Sequence, residues 1–206
     1  MEKKLYLDKM DSFLADAEYM SIVRDLTESL YKDPIGTFVP DLSEMWDYGE
    51  PTKAILAQLL EYISPFISDE YYEGKKFDVI DIKFLRHLKQ TGNPSLDGAF
   101  TWHADNHPPD VLNILVYLTD VGEWDGGMQI AVVDGRFVFR PYSEPSGGVN
   151  LEEFIKSISN YDSFMVNSVE GPKGTIFIFD NCIAHRAGLP VKNNRDALLL
   201  QIKSIF

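Results

Sequence analysis

Two short segments about eighty residues apart carry side chains suited to metal chemistry. In the first, Thr101-Trp102-His103-Ala104-Asp105, an imidazole and a carboxylate stand two positions apart. Alternate residues of an extended chain share a face, so the pair can point the same way. The second segment, Ile183-Ala184-His185, offers another imidazole. Two neutral imidazoles and one carboxylate on one side of a divalent metal leave its other positions open, a ligand set that suits redox-active iron. Arg195 lies ten residues beyond His185, and its guanidinium fork can clamp a carboxylate through two parallel hydrogen bonds. Together these residues read as an iron site (His103, Asp105, His185) beside an anionic co-substrate site (Arg195).

The same residues admit plainer readings. His103 and Asp105 could be a hydrogen-bonded structural pair. Arg195 follows the polar turn Lys192-Asn193-Asn194 and could be an ordinary surface residue. Cys182, near His185, sits among apolar neighbours and reads as packing rather than as a nucleophile. His107 extends the alternation to His-x-Asp-x-His, but Pro108-Pro109 follow at once, so it reads as a loop residue near the mouth. His87 reads as a surface or packing residue, and Arg186 as solvated or paired with an acid.

The rest of the chain must position these groups. The first third is helical in pattern: Asp11-Ser12 can cap a run bearing Phe13, Leu14, Ala17, Met20, Ile22, Val23, Leu26 and Leu30, stopped at Pro34. A polar and aromatic connection with Met45, Trp46 and Tyr48 leads to a second helix, started by Pro51-Thr52, bearing Ile55, Leu56, Leu59, Leu60 and Ile63 and ending near Pro65. From Phe77 the texture turns to short β-rich runs at 77–85, 98–102, 111–118, 128–133, 137–140, 164–166, 175–179, 183–185 and 197–202, separated by turns such as Asp125-Gly126-Gly127. The pattern predicts a mainly β domain with N-terminal helices, a double-sheet jelly roll. No linker or repeat divides it, so residues 1–206 are expected to form one domain, with 1–75 a helical cover, 76–206 the jelly-roll core and 134–170, with its helix-like 151–158, an inserted lid.

Strand parity sharpens the expectation. Leu112, Ile114, Val116 and Leu118 form one apolar face, predicted to lie under the helices, while Asn113, Leu115, Tyr117 and Thr119 form a mixed face toward a cavity. In the last strand Arg195, Ala197, Leu199 and Gln201 share one side, and Leu198, Leu200 and Ile202 the other. Tyr117, Arg195 and Gln201 are therefore expected to line the cavity.

Bulk properties narrow the partners. A net charge of −13 without a basic cluster disfavours nucleic acid and anionic membranes. No apolar run reaches the ~20 residues that span a bilayer. The start Met1-Glu2-Lys3-Lys4-Leu5 leads into a mixed charged stretch without the apolar core of a signal peptide. The single Cys182 fits a reducing compartment, so a cytoplasmic setting is expected.

From about Ile80 onward the chain resembles the Fe(II)/2-oxoglutarate-dependent oxygenases, most closely the phytanoyl-CoA dioxygenase-like branch and less so the prolyl hydroxylase-like branch. The resemblance rests on Trp102-His103-Ala104-Asp105, Ile114-Leu115-Val116-Tyr117-Leu118-Thr119-Asp120, Gly174-Thr175-Ile176-Phe177-Ile178-Phe179-Asp180 and the span from His185 to Arg195. It implies a double-stranded β-helix, cupin-like fold, with Fe(II) on His103, Asp105 and His185, and Arg195 on the distal carboxylate of 2-oxoglutarate. The chain departs from the branch where Ala131-Val132-Val133-Asp134-Gly135-Arg136 replaces the usual Pro-Gly-Ser-His element, and where Ala197 replaces a Ser or Thr that helps hold the co-substrate. Tyr117, or Lys83 on an earlier strand, is expected to take that part. Related halogenases have a small residue in place of Asp105, so its presence points to hydroxylation.

The expected activity is hydroxylation of an unactivated C–H bond in a small molecule such as an amino acid or carboxylic acid, using O2 and 2-oxoglutarate and releasing succinate and CO2. Arg136 and Arg140 could grip an anionic substrate, Asp180, Asn181 and Thr101 could fix the ligand tautomers, and the loop 90–96 could add contacts. Two other readings stay open: a non-catalytic metal- or ligand-binding jelly roll acting as a sensor or assembly partner, and a hydroxylase of protein side chains.

Overall fold

Asp16 caps the first helix, its Oδ1 accepting the backbone N–H of Tyr19 at 2.9 Å. That helix, α1 (Ala17–Lys32), buries Tyr19, Ile22, Val23, Leu26 and Leu30 along one stripe. The computed structural model describes residues 16–32, 35–38, 43–47, 49–92, 96, 98–105, 107–108, 110–140 and 150–205, with backbone alone for 35–38 and 43–47. The expected cap at Asp11-Ser12 and the stop at Pro34 lie outside these residues.

The second helix, α2 (Glu50–Tyr71), has Pro51 in its first turn and runs on through Pro65. This corrects the expected end. Beyond Pro65, Ile67 is buried, with Phe66 and Tyr71 packed against the same core. Burial of such side chains contributes roughly 1.5–3 kcal/mol each, enough to offset the ~3 kcal/mol cost of an interior proline.

The strands form two antiparallel sheets. The larger runs β1 (Ile35–Phe38), β2 (Ser43–Asp47), β3 (Phe77–His87), β10 (Arg195–Ser204), β4 (Val111–Tyr117), β8 (Ile176–Asp180) in that spatial order. In the smaller, β5 (Met128–Val133) pairs with β7 (Phe164–Ser168) on one side, and with β6 (Arg136–Phe137) and β9 (His185–Ala187) on the other. The stretch read as a connection around Met45 and Trp46 is the β1–β2 hairpin, which extends the large sheet by pairing Met45 with Leu85. The expected strand at 98–102 is a turn of 3₁₀ helix (Gly98–Phe100).

The parity of β4 holds. Leu112, Ile114, Val116 and Leu118 pack with Leu198, Leu200 and Ile202 of β10 against α1 and α2. On the opposite face Leu115 and Tyr117 meet Phe177, Phe179 and Ala197, together with Met128 and Ile130 of β5, so a second apolar layer lies between the sheets. The third helix, α3 (Leu151–Ile158), places Leu151 and Ile155 against Trp102, Ala104, Ala131 and Ala184. The span 134–170 thus contributes β6, α3 and β7 among its described residues, and α3 braces the segments that carry His103 and His185.

Candidate metal centre

A single antiparallel bridge brings the two histidine segments together. The His103 N–H donates to the His185 carbonyl at 3.0 Å and the His185 N–H returns the bond at 2.9 Å. The ring centroids are 4.3 Å apart. Each Nδ1 lies 2.8 Å from a carbonyl two residues back in its own chain, Thr101 for His103 and Ile183 for His185. A carbonyl only accepts, so each Nδ1 carries the proton and each Nε2 lone pair is free for a metal.

Both Nε2 atoms face Asp105. His103 Nε2 is 3.7 Å from Oδ1 and His185 Nε2 is 3.8 Å from Oδ2. These gaps are too long for hydrogen bonds, and the three ligand atoms lie within 4.8 Å of one another. Two imidazole lone pairs and a carboxylate converging at this spacing fit a divalent transition metal. Burial holds His185 down to about 4, with the nearby His103 imidazole adding to the effect. A neutral ligand follows.

Asp105 is held from behind. Its N–H donates to the Asn181 carbonyl at 2.9 Å, and its Oδ2 accepts from Asn113 Nδ2. Asn113 Oδ1 in turn accepts from Gln201 Nε2 at 3.1 Å. Asn113 and Gln201 lie on the sides of β4 and β10 that parity assigned to the cavity, but behind Asp105 and outside the cavity wall. Asn181, fully buried, ties down the neighbouring loop through Pro108, Val111 and His107. Of the expected tautomer-fixing groups, Thr101 acts through its carbonyl and Ile183 supplies the other. Asp180 instead caps the following turn by accepting from Cys182 N–H at 2.9 Å.

Arg195 opens β10 directly opposite His87 of β3 and is only 2% exposed. Its Nη1 donates to the Gly126 carbonyl and its Nη2 to His87 Nδ1, while its buried Nε has no hydrogen-bond partner among the described residues. No carboxylate among the described residues lies within ion-pair distance. The Gly126 carbonyl is held there by close packing: at Gly126 (φ +72°) a Cβ would come within 2.5 Å of Pro190 N and 2.6 Å of the Gly188 carbonyl.

His87 is buried, and not at the surface. Burial and then the Arg195 charge hold it well below its usual value, so its ring is neutral. Because Nδ1 accepts from Arg195, the proton sits on Nε2. Of the two readings its sequence offered, surface or packing, burial fits the second; its place two residues beyond Leu85 on the cavity side of β3 is the alternation signal for its meeting with Arg195.

A cavity of about 80 Å³ joins these groups, with His103 and His185 at one part of its wall and His87 and Arg195 at another. Apolar Leu85, Leu115, Met128, Phe179 and Leu199 line it too, with Ala99, Arg186 and Ala187. Tyr117 stands behind Arg195. Its hydroxyl donates to the Val169 carbonyl at 2.8 Å and accepts from Met128 N–H at 3.1 Å, and its nearness partly offsets the effect of burial on Arg195. Lys83 pairs with Asp81 at 2.7 Å, away from the cavity. Arg136 and Arg140 are likewise outside its wall.

No protein-family model and no curated protein matches this chain in sequence. Its structure is similar to solved ones at low identity. HygX from Streptomyces hygroscopicus, solved with nickel, 2-oxoglutarate and hygromycin B bound, is 13% identical over 94% of this chain and 81% of its own, with a TM-score of 0.57. A 2OG-Fe(II) oxygenase family oxidoreductase from Burkholderia pseudomallei is 15% identical over 91% and 79%, with a TM-score of 0.58. The epimerase SnoN, in complex with Fe3+, alpha ketoglutarate and nogalamycin RO, is 14% identical over 93% and 76%, with a TM-score of 0.60. The chain therefore has the fold these oxygenases share.

Proposed function

We propose that this chain is an Fe(II)- and 2-oxoglutarate-dependent dioxygenase of jelly-roll fold that oxidises an unactivated C–H bond of a small molecule. One observation carries the reading: Arg195, a buried guanidinium with no carboxylate partner among the described residues, lines the same cavity as two histidines whose free Nε2 atoms converge on Asp105. A fixed positive charge out of water is costly unless an anion joins it. A short dicarboxylate answers both ends, with one end for the metal and the other for the guanidinium.

In this reading His103, Asp105 and His185 hold the iron, Arg195 takes the far carboxylate and His87 Nε2–H is a second donor beside it. Tyr117 steadies Arg195 and does not touch the co-substrate. The apolar walls keep water out, which strengthens each charge interaction inside. Bound iron supplies the oxidation: one atom of O2 enters the substrate C–H bond as hydroxyl and the other enters succinate as 2-oxoglutarate loses CO2.

The motifs Trp102-His103-Ala104-Asp105 and Ile114 to Asp120 support the phytanoyl-CoA dioxygenase-like branch, and the buried thiol of Cys182 suits a reducing, cytoplasmic setting. Among the described residues no helix is long and apolar enough to cross a membrane.

Succinate formation from 2-oxoglutarate tests the activity. It is expected to require both Fe(II) and O2, and to fall at least a hundredfold in Asp105→Ala. A protein that binds metal and 2-oxoglutarate but forms no succinate with any small molecule supports the sensor reading instead.

A further inference from the structure

Beside the histidine cavity lies a second, wider one of about 280 Å³, and the two share Arg186 and Ala187 of β9 in their walls. A molecule in it sits next to the residue that follows His185. Its volume is at the small end for ligand sites, too small for a CoA thioester.

Three of its lining residues, Arg186, Glu123 and Trp124, offer groups suited to binding. Arg186 is half-buried and fixed, with Nε donating to Gln129 Oε1 at 2.7 Å and the guanidinium carbon 4.5 Å from the centre of the Trp102 ring. Its terminal nitrogens make no hydrogen bond among the described residues, so a planar fork faces the cavity already ordered.

Glu123 is exposed and also lines the cavity, with neither an ion pair nor a hydrogen bond among the described residues. The two opposite charges face one space without pairing to each other. Trp124 is 57% exposed, yet its backbone is pinned: its carbonyl accepts the N–H groups of Val191 at 2.8 Å and Lys192 at 3.1 Å. Asp125 beside it accepts from Asn193 Nδ2 at 3.0 Å. A large ring held in water on a rigid loop is a stacking surface.

We propose that this cavity binds a small zwitterion of the amino-acid type, with its carboxylate on Arg186, its ammonium on Glu123 and its apolar or ring body along Trp124, Phe100 and Leu189. That this zwitterion is the molecule oxidised rests on the oxygenase reading; its binding does not.

Calorimetry on anaerobic protein loaded with Fe(II) and 2-oxoglutarate tests the site with matched probes. L-phenylalanine carries both charges, 3-phenylpropanoate only the carboxylate and 2-phenylethylamine only the ammonium; L-leucine is an aliphatic zwitterion. The zwitterions are expected to bind at least tenfold tighter than either singly charged probe. Glu123→Gln, at an exposed position with no packing role, is expected to abolish the preference over 3-phenylpropanoate, and Arg186→Gln the preference over 2-phenylethylamine. Equal binding of all probes, no binding of either zwitterion at millimolar concentration, or an unchanged preference in Glu123→Gln overturns the proposal. If the preference is present but no succinate forms with any zwitterion, the site stands and the zwitterion is not the molecule oxidised; the oxygenase reading fails only if no small molecule yields succinate.

Discussion

His103 and His185 are joined by both hydrogen bonds of one antiparallel bridge, and this sets their rings 4.3 Å apart. The two candidate ligands are thus set side by side by backbone pairing. Asp105 alone depends on side chains for its direction, through Asn113 and Gln201.

Removing that support should weaken metal binding without removing a ligand. Asn113→Leu is expected to lower Fe(II) or Zn(II) affinity by about 10–100-fold, measured by competition with a chromophoric chelator. Circular dichroism of the variant should match the parent. Unchanged affinity would show that Asn113 does not orient the carboxylate.

His87 should matter to the co-substrate and not to the metal. Hydrogen bonds to charged groups contribute about 1.5–3 kcal/mol, so His87→Phe is expected to weaken 2-oxoglutarate binding about tenfold or more while metal affinity stays constant. Equal weakening of both would mean that the ring serves only packing against Phe100, which it meets at 5.0 Å.

Acid should destabilise the metal-free protein. Burial depresses His185 to about 4 and His87 also lies below its ordinary value, whereas both titrate near 6.5 when unfolded. The unfolded chain then binds more protons than the folded one below about pH 6.5, so stability falls as pH drops through that value toward 4. Urea midpoints of the metal-free protein between pH 7.5 and 4.5 should show the loss. His87→Gln should flatten the slope, and an identical slope in that variant would refute the assignment.

The turn behind Arg195 tolerates no side chain. A Cβ at Gly188 would lie 2.5 Å from the Gly127 carbonyl, so Gly188→Ala is expected to destabilise by about 1–3 kcal/mol, read as a lower melting temperature. Loss of 2-oxoglutarate affinity should accompany it, because the same contact seats the Gly126 carbonyl on Arg195.

Alternation made much of this visible from sequence. The apolar run Leu112 to Leu118 and its mixed partner face assigned the helix side and the cavity side of β4, and Arg195 with Gln201 followed on β10. His87 stayed hidden because its meeting with Arg195 depends on the register between β3 and β10, which neither strand encodes alone. The β1–β2 hairpin was missed for a related reason: Trp46 and its neighbours pair with β3, and tertiary pairing overrides a weak local signal. Pro65 misled in the opposite sense, since packing of Ile67 carries the helix past it. Arg186 and Trp124 meet around one cavity because the turn at Gly126 packs against Gly188 and Pro190, about sixty residues away in the chain.

The central claim is that one cavity holds iron at one end and a carboxylate on Arg195 at the other. Anaerobic visible spectroscopy of the Fe(II)-loaded protein during titration with 2-oxoglutarate tests it most directly. A charge-transfer band should grow to saturation in the parent and require at least tenfold more 2-oxoglutarate in Arg195→Ala. Iron binding with no band at any 2-oxoglutarate concentration, or a band insensitive to loss of Arg195, would contradict it.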